Sequence, residues 1–340
     1  MDEQTQRLRH SSDTEPGYIR QRKGRAWAYF DESGNRITDR GEIDRLNAVG
    51  LPPAYTDAWY CKDANGHLQA TGRDARGRKQ YRYHPDFRKR RDKTKYADCQ
   101  AFGEALPRLR ARVEKDLRKR KLDRDTVLAA VVRLLDTESI RVGYEEYAQS
   151  NKSFGATTLR SRHLRTREGK LQARFPAKHG IMREVTITDR SLKRIVGKCQ
   201  ELPGQLLFQY INGDGVPQPV TSSDVNDYIR EASGGDFTAK HFRTWAASCI
   251  FFDQLLDAEE KRISLKTALE PVAEALGNTV AISRKSYVHP QLIEAVQNRP
   301  DDPLGDMARP RARRRLTSEE TGFLQFLKKR RRAPQRKAGA

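Results

Sequence analysis

The hydrophobic period changes part-way along this chain. Up to about residue 83 apolar residues come in short alternating runs broken by turn signals, and from about residue 98 they recur at three- and four-residue spacing. A period of two belongs to half-buried strands and a period near 3.6 to amphipathic helices, so the chain must hold two kinds of architecture. In the first part, 25–30 and 58–61 read as strands. Asp63-Ala64-Asn65-Gly66 then signals a tight turn before a return strand over 67–71, and Arg76-Gly77 turns into another over 79–83. A short helix is expected over 41–48, ahead of Pro52-Pro53. In the second part, Leu106, Leu109, Val113 and Leu117 share one helix face. Val127, Leu128, Val131, Leu134 and Leu135 share another, with Asp125 as its expected cap. Further helices are expected over 191–201, 222–232, 239–256 and 259–276. Thr238 caps the third of these, Gly277-Asn278 stops the fourth, and Pro290 opens a last one to about 297. One hairpin interrupts the helices, with arms over 171–175 and 183–188 and a turn over 176–180.

The expected fold class is therefore α+β. A small β-rich lobe over 17–95 ends in a basic linker near 84–100, and a larger, mainly helical lobe with one hairpin follows over 98–300. Residues 1–16 read as a disordered leader and 301–340 as a basic, disordered tail.

Charge narrows the partner. Of the 340 residues, 66 are lysine or arginine and 45 aspartate or glutamate, a net charge of +21 that points to an acidic polymer, nucleic acid first. The excess is concentrated: 73–95 hold eleven cationic residues against three aspartates, and 301–340 hold twelve against five acids. In the first cluster Tyr81, Tyr83 and His84 interleave with the cations, which makes Gln69, Arg78, Gln80 and Tyr81 candidate DNA contacts. No apolar run approaches the ~20 residues that span a bilayer, and residues 1–7 hold no signal-like stretch, so a cytoplasmic, nucleoid-associated protein is expected. Cys61, Cys99, Cys199 and Cys249 are scattered, which fits four buried thiols in a reducing compartment. There is no phosphate-binding G-x-x-x-x-G-K-[ST] loop and no acidic or histidine motif for metal ions, so neither ATP nor a metal cofactor is expected.

The reactive candidates are cations and polar groups at sharp places in the predicted fold. They are Arg141 in Ser139-Ile140-Arg141-Val142-Gly143, Lys178 in the hairpin turn, and Lys240 and Arg243 opening the 239–256 helix. Asn278 lies at a helix stop, and Tyr287 in Arg284-Lys285-Ser286-Tyr287-Val288-His289-Pro290. Attack on a phosphodiester builds charge on the non-bridging oxygens, which arginine forks match and an amide N–H can help hold. A neutral tyrosine is a poor nucleophile, and neighbouring cations favour its phenolate. The departing sugar oxygen needs a proton, which a lysine on a hairpin can supply.

Together these stretches resemble the short type IB DNA topoisomerases of bacteria and poxviruses, over about residues 17–297. The other matching segments are Gly72-Arg73-Asp74 through Gly77-Arg78-Lys79-Gln80-Tyr81, and Thr158-Leu159-Arg160 with His163. The resemblance implies that Tyr287 forms a 3′-phosphotyrosyl link. Arg141, Arg243 and Asn278 would stabilise the transition state, Lys178 would be the general acid and Lys240 would support the site. It implies relaxation of supercoiled double-stranded DNA by swivelling and religation, with no ATP or essential metal, by a monomer whose two lobes clamp the duplex. Ala177 stands where glycine is expected and His179 adjoins Lys178, while Asn278 occupies a position where many members carry histidine. Two alternatives share parts of this pattern. A tyrosine recombinase uses similar chemistry but typically has histidine at the position of Lys240, and a non-catalytic basic DNA-binding protein shares the charge alone.

Overall fold

Five short antiparallel strands organise the N-terminal part of the chain, as β1 (Tyr18–Lys23), β2 (Ala26–Phe30), β3 (Thr56–Tyr60), β4 (Leu68–Arg73) and β5 (Lys79–Tyr83). The computed structural model describes residues 8–24, 26–75, 77–258, 263–305 and 307–332. The sheet order is β2-β1-β3-β4-β5, with Ile19 opposite Phe30 and Thr71 opposite Tyr81. Helix α1 (Arg40–Ala48) begins at Asp39, whose carboxylate accepts from the Glu42 N–H at 2.7 Å. It contributes Leu46 to a core with Tyr29, Leu51, Ala58, Tyr60 and Ala70, in which the Tyr29 and Tyr60 rings meet edge to face at 5.3 Å.

Residues 8–16, expected to be a disordered leader, are packed. The Arg9 N–H donates to Asn65 O at 2.9 Å, and the Ser11 hydroxyl donates to Leu68 O at 3.0 Å. Polar composition misleads here because the segment is held by backbone and hydroxyl bonds rather than by apolar burial. The leader's first seven residues lie outside the described residues.

The chain divides into two compact units, 1–95 and 96–340. The expected linker near 84–100 is helical: α2 runs over Pro85–Leu117. Lysine and arginine are good helix formers, and proline is tolerated in a first turn, so the basic run propagates a helix. From Cys99 onward α2 lines the core of the second unit with Phe102, Leu106, Leu109, Val113 and Leu117. Helix α3 (Arg124–Glu138) is the centre of that core, with Val127 to Val132 all buried, as a helix apolar on every side must be. Its cap is Asp123 rather than Asp125, accepting from the Thr126 N–H at 2.9 Å.

Beyond α3 come α4 (Glu145–Asn151) and a three-stranded sheet of β6 (Leu164–Arg167), β7 (Lys170–Pro176) and β8 (Met182–Ile187). The expected hairpin is β7–β8, to which β6 adds an edge. Then follow α5 (Arg190–Gln200), the small β9–β10 hairpin (Gln209–Ile211 and Pro217–Pro219), α6 (Ser222–Ser233), α7 (Ala239–Leu256), α8 (Leu265–Leu276), α9 (Val280–Ser286) and α10 (Pro290–Asn298).

The expected disordered tail contains another helix, α11 (Ser318–Arg332), packed against α7. Phe323, Leu324, Phe326 and Leu327 are all buried, the first against Trp245 and Phe252. Glu320 is buried, accepts from the Trp245 indole at 3.0 Å and, with Asp136, clasps the half-buried Arg110 guanidinium, so each charge has its partners. The remaining part of the tail, 333–340, lies outside the described residues.

Candidate active site

Arg141 is delivered by a tight crossing of backbone just past α3. Ser139 ends that helix in the left-handed conformation at φ 51°, Ile140 is buried, and the Arg141 carbonyl accepts from Ala156 N–H at 2.8 Å. The crossing needs glycine on both sides. Gly143 sits at φ +94°, and a Cβ on Gly155 would lie 2.5 Å from Arg141 O. Thr157 locks the pair by donating its N–H to Val142 O at 2.7 Å.

Arg243 lies in the first turns of α7 and is 4% exposed. One arm donates to Ser139 O and the other to Leu276 O at 3.1 Å, so its guanidinium staples the end of α3 to the end of α8. Its Nε has no acceptor. Burial, reinforced by the Arg141 charge, pulls its pKa down to about 10, which leaves it cationic at neutral pH.

Asn278 follows the glycine stop of α8. Gly277 takes the left-handed turn at φ +60° and the Asn278 N–H returns to Ala273 O at 2.9 Å. The Asn278 side-chain oxygen accepts from Arg141 Nη2 at 3.0 Å. That bond fixes which way the amide points and leaves Nδ2 buried without an acceptor.

Tyr287 caps the end of α9, its N–H donating to Ser283 O at 3.1 Å. The Arg243 guanidinium carbon stands 4.8 Å from the Tyr287 ring centroid. Burial raises the phenol's pKa, but the charges of Arg243 and Arg141 outweigh it and hold the group below the ordinary tyrosine value of 10. The structure thus brings Arg141, Arg243, Asn278 and Tyr287 together.

The two lysines stand apart. Lys178 is exposed in a single turn at the tip of β7–β8, where His179 at φ +67° and Gly180 at φ +76° reverse the chain and Ala177 N–H closes it on Ile181 O at 2.8 Å. Among the described residues it makes no ion pair, though Ala177 beside it lines a small cleft with Arg141, Phe175, Arg183, Arg243 and Leu276. Lys240 is exposed, three residues ahead of Arg243 on α7. Arg183, on β8, escaped the sequence reading. A single arginine in an alternating strand gives no signal, yet it enters the cleft with Arg141 and Arg243.

Among the expected DNA contacts Gln69 is buried. It is 5% exposed, its amide nitrogen donating to the carbonyls of Asp63, Ala64 and Gly66 and its oxygen accepting from Arg45 at 3.0 Å. These bonds hold the β3–β4 turn and tie it to α1. Arg78 and Gln80 both donate to Asp74, at 2.8 and 3.0 Å. Tyr81 is 47% exposed and lies parallel to Tyr83 at 6.1 Å. Among the described residues no group of three histidine, cysteine or acidic side chains is arranged to hold a metal ion, and no helix is long and apolar enough to cross a membrane.

Residues 84–304 match the family model of the eukaryotic DNA topoisomerase I catalytic core, and 26–74 that of the bacterial DNA topoisomerase IB N-terminal domain. The chain belongs to the type IB DNA topoisomerases. The DNA topoisomerase 1B of Acanthamoeba polyphaga mimivirus is 31% identical over 314 residues, covering 86% of this chain and 94% of that protein. That of Vaccinia virus (strain Western Reserve) is 22% identical over 292 residues, covering 80% and 90%. The type IB assignment holds for both parts of the chain, the β-rich unit by the bacterial model and the helical one by the catalytic core.

Proposed function

We propose that this type IB topoisomerase relaxes supercoiled duplex DNA through a transient 3′-phosphotyrosyl bond carried by Tyr287. The Tyr287 oxygen attacks the scissile phosphorus as the P–O5′ bond breaks. Arg141, Arg243 and Asn278 hold the non-bridging oxygens, and Lys178 gives its proton to the departing 5′ oxygen. Lys240, near the start of α7, adds positive charge to the site. After the free strand swivels, the 5′-hydroxyl attacks the phosphotyrosine, returns the proton and releases Tyr287. The phosphotyrosine keeps the energy of the broken bond, so religation needs neither ATP nor an essential metal. One chain supplies every residue named, which favours a monomer, and a net charge of +21 favours residence on the nucleoid.

The observation that carries this reading is the pair of buried donors, Arg243 Nε and Asn278 Nδ2, with no acceptor beside a phenol of lowered pKa. An unsatisfied buried donor costs about 1–3 kcal/mol, and an oxyanion supplies what both lack. Relaxation of negatively and positively supercoiled plasmid, in EDTA and without ATP, tests it with Tyr287→Phe alongside. Wild type should relax both signs and the variant neither. A variant that still relaxes DNA, or a wild type with no covalent adduct on denaturation, would sink the reading.

A further inference from the structure

We infer that Arg183 is a positioning residue for this reaction, latching the hairpin that carries Lys178 to the carboxyl end of α8 and so holding the general acid at the scissile phosphate. The inference rests on the general-acid role proposed for Lys178.

Arg183 lies on β8 directly opposite the buried Phe175 of β7, one pair from the turn end of the hairpin. The tip with Lys178 therefore projects only a few residues beyond this pair. The Arg183 side chain reaches out of the hairpin to α8, where Nη1 donates to Glu274 O at 3.0 Å and Nη2 to Ala275 O at 2.8 Å. These are carbonyls of a helix's last turn, at the negative end of its dipole; Glu274 O also accepts from the Gly277 N–H at 3.1 Å, and a guanidinium fork suits the pair. Gly277 makes the room: a Cβ there would stand 3.0 Å from Arg183 Cδ and 3.2 Å from Nη1. A second tie runs from the same hairpin to the Arg141 crossing, where the Phe154 N–H donates to Pro176 O at 2.8 Å. The hairpin is thus pinned on one side to the segment carrying Arg141 and on the other to the helix end carrying Asn278.

A cap for α8 alone would not need this place. Arg183 is half-buried in the cleft it shares with two other arginines, where burial and the Arg141 charge both disfavour its protonated form, and only Glu138 offsets them. A positive charge kept there at that cost is explained by the need to hold the tip.

The test compares two duplexes in single-turnover cleavage, one with the normal 5′ oxygen and one with sulfur at that bridging position. A thiolate leaves without being protonated, so the sulfur substrate bypasses the general acid. Arg183→Met should slow cleavage of the oxygen substrate about 10²-fold, the lower end of a general acid's contribution. It should cut the sulfur substrate within about threefold of wild type, with unchanged DNA affinity, and Arg183→Lys should recover most of the loss. Arg183→Gln, which removes the charged fork while keeping a polar side chain, should give the same substrate-selective defect and serves if Arg183→Met fails to fold. Lys178→Ala, run in parallel, must show sulfur rescue. If Lys178→Ala is rescued and neither Arg183→Met nor Arg183→Gln is, the latch is wrong. If Lys178→Ala is not rescued either, the acid assignment falls and the latch with it. An Arg183→Met enzyme of wild-type speed on the oxygen substrate also overturns the inference.

Discussion

Changing Asn278 to aspartate separates the site's function from its stability. In the protein its side-chain oxygen accepts from Arg141 at 3.0 Å while Nδ2 has no acceptor. Asn278→Asp keeps the first atom and replaces the donor with a second, negatively charged oxygen. Losing one transition-state donor of this kind costs about 2.7–4 kcal/mol, a 10²–10³-fold fall in rate. The new charge also repels the phosphate, so 10² is the least that is expected. Stability should move the other way. The Arg141 guanidinium already makes a charge-assisted bond to the neutral oxygen, and a carboxylate turns it into an ion pair, which adds about 1 kcal/mol. For a unit of this size that is about 2–4 °C in Tm. The assay is the rate of covalent adduct formation under single-turnover conditions, beside a thermal melt. Asn278→His, which keeps an N–H donor, should stay within about tenfold of wild type, well inside the loss for a missing donor. An aspartate variant that cleaves within threefold of wild type, or a histidine variant as slow as the aspartate one, would refute the reasoning.

Removing the charge of Arg243 with Arg243→Gln leaves burial as the main influence on Tyr287, so its pKa rises; the cleavage rate then climbs with pH over a higher range than in wild type, and an unmoved profile would show that Arg243 does not tune the phenol. Ending the chain at Thr317 strips Phe323, Leu324, Phe326 and Leu327 from α7. At about 1.5–3 kcal/mol each, that approaches the whole stability of a domain, and a truncated chain melting like wild type would contradict the packing. Gln69→Leu breaks three hydrogen bonds to the β3–β4 turn and one from Arg45 of α1 and should lower Tm, with DNA affinity measured well below the melt unchanged; a selective loss of affinity would contradict a purely structural role.

Elements with strong local chemistry were legible in the sequence. The Gly277-Asn278 stop rests on a residue whose backbone preference decides the matter, and the 239–256 helix on a sustained apolar period. The grouping of Arg141, Arg243, Asn278 and Tyr287 was reached through family motifs, not through spacing, because these residues lie 35 or more positions apart, apart from Asn278 and Tyr287. What escaped depends on long-range partners. Helix α11 looked like a solvated arm because its apolar residues are flanked by charge, and only α7 shows what they cover. The run after Pro85 looked like a linker because charge density was read ahead of helix propensity. The burial of Gln69 is not legible because a polar residue in a strand gives no hint that three carbonyls await its amide. Arg183 is invisible without the end of α8 beside it.

The cleft arginines bear on how the protein behaves when idle. Among the described residues no carboxylate is ion-paired with Arg141, Arg183 or Arg243, and besides burial the Arg141 charge lowers the proton affinity of both Arg183 and Arg243. Like charges held this close tax the empty fold, and any anion that settles between them refunds the tax. Occupancy and folding are then linked by mass action: a phosphate-rich ligand at a hundred times its Kd adds about 2.7 kcal/mol to the stability of the native state. The unliganded molecule is thus the weaker form of the protein, and its resistance to heat and proteolysis becomes a readout of how much nucleic acid surrounds it.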